Sequence, residues 1–298
     1  MHDIFAGFAE NIDELSQKTK NHSKVEYIHG KAPYAGPIHL AVIGENLERH
    51  SMHLQTVSNT PSLQGGLYAG AAGFVNLSYM AAAKASAGLL FDINTYQTLF
   101  WNIVFDKVAK SSTPAAFRKN LSSIIPDIES AALRSFKEPL RETFRRNCDY
   151  ANGALFKGLP AGELSHWIMT PSRPAGLWMH DPALYSHVRA LVLNKAIGAI
   201  TLDISSRKAC DEVRKFLDGH DISVRTLYVS NILNFMQSPV RKTDFIGRDV
   251  LVDSRLRAEM NVYRWMEEDG RIIECDNLER GTPLLVAAKS FSHPSPAL

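Results

Sequence analysis

Two glycines and one acid are the residues whose types and spacing could do chemistry. Gly70 and Gly73 lie where the apolar run beginning at Gly66 gives way to a helical pattern from Phe74 to Lys84. Backbone without a Cβ lets a ligand approach closely. Nineteen residues after Gly73, Asp92 ends the apolar run Gly88-Leu89-Leu90-Phe91-Asp92. An acid at about that distance is where a ribose diol would be gripped, because a carboxylate accepts from two hydroxyls. A tight turn followed by an ordinary strand-terminal Asp is the plain alternative.

The bend also limits the choice of nucleotide. A dinucleotide site uses Gly-x-Gly-x-x-Gly and sets a pyrophosphate on a helix N-terminus. Here Gly70-Ala71-Ala72-Gly73 runs into Phe74-Val75, a partial glycine pattern with no cationic side chain for phosphates. A nucleoside without phosphates, such as S-adenosylmethionine, needs neither. No Gly-x-x-x-x-Gly-Lys-Ser/Thr motif occurs at this bend, which excludes a P-loop there.

The elements that must position these residues follow from the pattern around them. Gly66–Ala72 reads as a short strand ending in a turn, and the short apolar runs that end in polar residues, Gly88–Asp92, Ala199–Asp203 and Val224–Asn231, read as buried strands of a parallel sheet. Between them, Phe74–Lys84 and Asn94–Lys110 read as helices, with Leu99, Ile103 and Val104 on one face of the second. Ser205 is placed to cap a helix from Ser206 to Leu217 that Gly219 ends. Late strands are expected at Asn261–Trp265, Arg271–Glu274 and Pro283–Ala288, the first two joined by a hairpin turn at Glu268-Asp269-Gly270.

This alternation predicts an α/β, Rossmann-like fold with a mostly parallel sheet and an antiparallel C-terminal edge. Residues 1–60 read as a helical accessory or lid region, with Phe5, Phe8, Ile12 and Leu15 at helical spacing and a second amphipathic stretch around Ile43–Leu54. Residues 61–298 read as the ligand-binding domain, with a helical insertion at about 113–165 that Pro114, Pro126 and Pro139 divide. Pro171, Pro174 and Gly176 mark the loop before Trp178.

The balance of 298 residues, 45% hydrophobic and 21% charged with a net charge of +2, is that of an ordinary globular protein. It gives no reason to invoke nucleic acid or an anionic membrane. The longest apolar stretch, around Tyr79–Phe91, is interrupted by Lys84 and falls short of the roughly 20 residues a spanning helix needs. No basic n-region with an apolar core opens the chain, so a cytoplasmic location is the default. Cys148, Cys210 and Cys275 are far apart and read as reduced, packed thiols rather than ligands. No metal is expected. A small-molecule substrate is, and a homodimer is compatible with the sequence.

The segment Ala69–Val108 resembles the cofactor site of class I S-adenosylmethionine-dependent transferases. Its particular similarity is to bacterial betaine-lipid synthases, which transfer the 3-amino-3-carboxypropyl group. Their glycine turn is followed by an Asn and their second strand ends in Asp-x-Asn-x-x-Gln, matched here by Asn76, Asp92, Asn94 and Gln97. Their later Ser-Asn-Ile is matched by Ser230-Asn231-Ile232. An uncharacterised bacterial family of the same fold is also similar, from Trp178 through Arg189 to Asn231.

The resemblance implies a class I methyltransferase fold in which Tyr68, Gly70, Ala72, Gly73, Asp92, Ile93, Asn94, Asp203 and Ser230 hold S-adenosylmethionine. Asn76, Tyr79, Ser230 and Asn231 would then stand nearest the reaction. Asp203 reads equally as a neighbour of the adenine or as a helix-capping acid. Asn76 reads as a ligand of the cofactor's amino-acid end or as a helix Asn bonded to backbone. Tyr27, Tyr34 and Trp178 are candidates for the sulfonium, or ordinary packing; His29 and His180 are candidate proton acceptors. The implied activity is transfer or cyclisation of the 3-amino-3-carboxypropyl group with release of methylthioadenosine. A small-molecule methyltransferase and a non-catalytic cofactor-binding protein are the alternatives.

Overall fold

A computed structural model describes residues 8–23, 47–71, 75–93, 95–121, 127, 130, 131, 134, 177–230, 240–243, 249–252, 261–274 and 284–287. Its centre is a sheet of short apolar strands: β1 (Leu67–Ala71), β2 (Ala87–Asp92), β3 (Ile197–Thr201), β4 (Val224–Ser230), β7 (Met266–Glu274) and β8 (Leu284–Ala287), in the order β3-β2-β1-β4-β7-β8. The first five of these in spatial order pair in parallel, and β8 pairs antiparallel with β7. β1 and β3 are buried along their whole length. That explains why their sequences show no alternation of polar residues. Strands β5 (Val240–Thr243) and β6 (Asp249–Val252) form a separate antiparallel pair that the sequence pattern did not announce.

Helices cover both faces. Following their order in the chain, α1 spans Ile12–Asn21, α2 Leu47–Ser58, α3 Val75–Ala82, α4 Thr95–Lys110, α5 Pro114–Leu121, α6 Pro182–Leu193 and α7 Arg207–Gly219. α3 links β1 to β2 and is enclosed by α2 and α6, so that all eight of its residues are buried. Its Tyr79 stacks on Tyr228 of β4, ring centroids 5.6 Å apart. Successive strand residues alternate faces, and the next row looks the other way: Phe91 meets Trp265 edge-on, and Trp265 donates its indole N–H to the Cys210 carbonyl in α7. α7 joins β3 to β4 across β2 and β1. The right-handed rule for parallel crossovers puts it opposite α3.

α1 lies against β3 and α7. Ile12 fits over Gly198, where a Cβ would stand 2.8 Å from two Ile12 carbons, so only glycine permits this close seat. At the sheet rim, the Thr201 N–H donates to Ser16 Oγ at 3.2 Å and the Thr201 carbonyl accepts from Thr19 Oγ at 2.7 Å. Both groups would otherwise be unpaired on an edge strand. Phe8, Ile12 and Leu15 thus join the same hydrophobic core as the strands. Of the expected accessory region, α1 packs directly on β3, whereas α2 packs on α3.

Three expectations are corrected. Asn261–Trp265 is not a strand: Asn261–Tyr263 is helical, with Val262 and Trp265 buried three residues apart on one side. Glu268-Asp269-Gly270 is not a hairpin turn but lies inside β7. There the register slips from Val224↔Met266 to Thr226↔Arg271, a bulge tied down by the Arg225–Glu267 ion pair at 2.9 Å. Ser206, not Ser205, caps α7, accepting from the Ala209 N–H at 3.3 Å. Among the described residues, no helix is long and apolar enough to cross a membrane.

Candidate functional site

In an open α/β sheet, ligands bind beyond the carboxyl ends of the strands, where strand order reverses. Chain order here runs outward from β1 towards β3 on one side and resumes at β4 on the other, so the switch lies between β1 and β4. The register brings the ends level: Ala71 pairs with Phe91, Asp92 with Thr201, and Ser230 with Glu274. Asp92, Ile93, Asp203 and Ser230 therefore share one edge. Ala72, Gly73, Asn94 and Asn231, expected beside them, lie outside the described residues, as do Tyr27, His29 and Tyr34.

Gly70 has a use other than the expected one. A Cβ built there would stand 1.9 Å from Asn76 Oδ1 and 2.7 Å from Tyr68 Cε1. The space that a ligand was expected to enter is taken by the Asn76 amide. Asn76 is fully buried, donates from Nδ2 to the Ala71 carbonyl at 2.7 Å and accepts the Tyr68 hydroxyl at Oδ1, 2.9 Å away. Of its two readings, the backbone-bonded helix Asn is the one realised. Tyr68 and Tyr79 are likewise wholly buried, the one bonded to Asn76 and the other stacked on Tyr228. Asn76, held by Tyr68, fixes the carbonyl at the end of β1.

The acids are at the edge. Asp92 is half-buried at the end of β2, and its carbonyl accepts the Leu202 N–H at 2.7 Å, which draws the β3 exit alongside it. Next to Leu202, Asp203 is 1% exposed. Its Oδ1 accepts from the Ser205 N–H at 2.9 Å and the Ser205 hydroxyl at 2.6 Å, a closed Asp turn just before α7. Its Oδ2 is buried with no protein partner among the described residues. A carboxylate oxygen withdrawn from water without a donor is costly. It is a candidate acceptor at this edge.

Other candidates sit within the helices and turns around the sheet. Trp178 lies in an aromatic cluster, stacked on Tyr185 with centroids 5.9 Å apart and tilted against Phe117 at 4.9 Å, so it packs between helices. His180 is half-buried in the turn that follows it, its N–H donating to the Leu177 carbonyl. Gln97 is buried in the first turn of α4. Burial, reinforced by the nearby carboxylates of Asp203 and Asp211, pushes the Cys210 thiol up, so it stays protonated and is no nucleophile at neutral pH. A shallow, charged hollow between α1 and α7, lined by Lys208, Asp211, Arg214 and Arg264 among others, carries both signs of charge in ion pairs such as Arg264–Asp211 at 3.0 Å.

The contribution of Ser23 to this edge was missed. Its hydroxyl accepts the Asp203 N–H at 3.1 Å. Nothing in the local sequence links residues 180 positions apart.

The fold defines an α/β protein with a Rossmann-like, mostly parallel sheet, whose strand switch point is the candidate site. More particularly, the chain belongs to the family described as a domain of unknown function, DUF7790, whose model matches residues 43–248, from just before α2 to the β5–β6 connection. No curated protein matches it.

Proposed function

We propose that the protein is an S-adenosylmethionine-dependent enzyme of the class I methyltransferase fold, acting at the 3-amino-3-carboxypropyl group and releasing methylthioadenosine. The observation that carries the reading is the buried, unpartnered Oδ2 of Asp203, one strand away from Asp92 at the carboxyl edge. Two acids on neighbouring strand ends suit a nucleoside: Asp92 accepts from the ribose hydroxyls, Asp203 from the exocyclic amine of the base. On this reading the end of β1 at Ala71 lies nearest the methionine arm, and Ser230, at the end of β4, stands across the switch point from it.

The choice of carbon rests on the Asp92, Asn94, Gln97 pattern and on Ser230-Asn231-Ile232, which resemble enzymes that move the aminocarboxypropyl arm. In that reaction an amine lone pair attacks the arm's γ-carbon in line with the C–S bond. The bond's electrons pass to the sulfonium, which leaves as the neutral thioether methylthioadenosine, and the new ammonium gives up a proton. If the amine is the substrate's own, a four-membered ring closes to azetidine-2-carboxylate; if it is an acceptor's, a new C–N bond joins the arm to it. The protein's part is alignment, which alone can supply several kcal/mol of the barrier.

Incubating the purified protein with S-adenosylmethionine, alone and with small amines, and resolving products by mass spectrometry tests the proposal. Methylthioadenosine with azetidine-2-carboxylate or an aminocarboxypropyl adduct is the expected result. S-adenosylhomocysteine as the sole nucleoside product overturns the choice of carbon.

A further inference from the structure

The end of α1 and the turn that carries Asp203 are built into each other. Ser23 Oγ donates its only proton to the Thr19 carbonyl at 2.8 Å, which leaves its lone pairs to accept the Asp203 N–H at 3.1 Å. On one side of this bond Thr19 Oγ donates to the Thr201 carbonyl at 2.7 Å; on the other, Ser206 Oγ donates to the His22 carbonyl at 2.7 Å. The exit of β3, the Asp203 turn and the cap of α7 are thus all anchored to the last turn of α1 and the two residues after it. Thr19, Ser23 and Asp203 are buried, at 0%, 7% and 1% exposure. Water does not replace the Thr19 and Ser23 bonds while the helix is seated; the Ser206–His22 bond lies at the surface.

We infer that α1 is a positioning element of the ligand site: Ser23 fixes the Asp203 turn, so that seating of α1 and occupation of the site are thermodynamically coupled. The inference rests on the reading of Asp203 as a ligand acceptor. Without the Ser23 hydroxyl, the buried Asp203 N–H has lost its acceptor and competes for the carboxylate that should face outward. Coupling is reciprocal: whatever factor a seated α1 adds to ligand affinity, bound ligand adds to the seating of α1. Residues 12–23 lie outside the segment matched by the family model, so the site draws on a helix beyond that segment.

Calorimetric titration of the full chain with methylthioadenosine and with S-adenosylmethionine tests this in wild type, Ser23→Ala, Ser23→Thr, Thr19→Ala and Asp203→Asn. Ser23→Ala should weaken binding about five- to tenfold, and Ser23→Thr, which keeps the hydroxyl, should restore it to within about twofold. Thr19→Ala weakens the same seating through a bond that does not touch Asp203; by the coupling it should weaken binding in the same direction, by less than Ser23→Ala. In wild type, saturating methylthioadenosine should slow hydrogen exchange of the α1 amides. Unchanged affinity in Ser23→Ala beside a loss in Asp203→Asn, or unchanged α1 exchange with ligand bound, overturns the coupling alone. Unchanged affinity in folded Asp203→Asn, or no binding of either nucleoside by wild type, overturns the reading of the site beneath it.

Discussion

Replacing Gly70 by alanine builds a methyl 1.9 Å from Asn76 Oδ1, and no small shift accommodates it. The Asn76 amide must leave its seat, and two buried hydrogen bonds go with it, to the Ala71 carbonyl at 2.7 Å and from the Tyr68 hydroxyl at 2.9 Å. Each such bond contributes about 1 kcal/mol net, and stranding a buried partner costs about 1–3 kcal/mol. Gly70→Ala should therefore destabilise by about 3–4 kcal/mol. Asn76→Ala strands the same two partners without a clash and should cost about 2–3 kcal/mol. The double variant is the decisive one. With Asn76 cut back, the new methyl still stands 2.7 Å from Tyr68 Cε1, so the pair should cost about 1 kcal/mol more than Asn76→Ala alone. A coupling of about −2 to −3 kcal/mol follows, measured by urea unfolding of the four proteins. Effects that add to within about 0.5 kcal/mol would refute the claim that Gly70 exists to admit Asn76.

Asp92→Ala should weaken S-adenosylmethionine binding more than tenfold by calorimetry, since a charged acceptor is worth about 1.5–3 kcal/mol; unaltered affinity in the folded variant would remove Asp92 from the site. His187 is held below its usual value near 6.5, chiefly by burial and further by Lys84, while its Nε2–H donates to the Ala85 carbonyl at 3.0 Å. Because the unfolded chain takes up that proton first, stability should fall as pH drops from about 6.5 towards the folded value. Urea midpoints between pH 5 and 7.5 should show a slope that His187→Gln lessens. Cys210 should resist iodoacetamide at pH 8 in the native protein and react once unfolded; peptide-resolved labelling of Cys210 without denaturant would contradict its burial.

The strands nearest the site were legible because a strand buried on both faces is an uninterrupted apolar run, as in Leu67–Ala71 and Ala87–Asp92. The acids that end such runs were legible for the same reason. What misled was local ambiguity. Asn261–Trp265 is too short for a period of two to be told from a period of three, and the structure takes the second. Glu268-Asp269-Gly270 does interrupt the ladder, but as a bulge, because Arg225 holds Glu267 against β4. Glycine at position 70 signals close approach without saying of what; a neighbouring side chain and a ligand leave the same mark in the sequence. The Ser23–Asp203 bond depends on where α1 lands, which no window of residues encodes.

The seat of α1 on β3 has a bearing on what the molecule can assemble with. An outermost strand ordinarily offers its main chain as a template on which a stranger's segment can add itself. At Thr201 both rungs of that template are already occupied by hydroxyls of the chain's own first helix. As long as α1 stays in place, addition of a strand at this rim is blocked at Thr201.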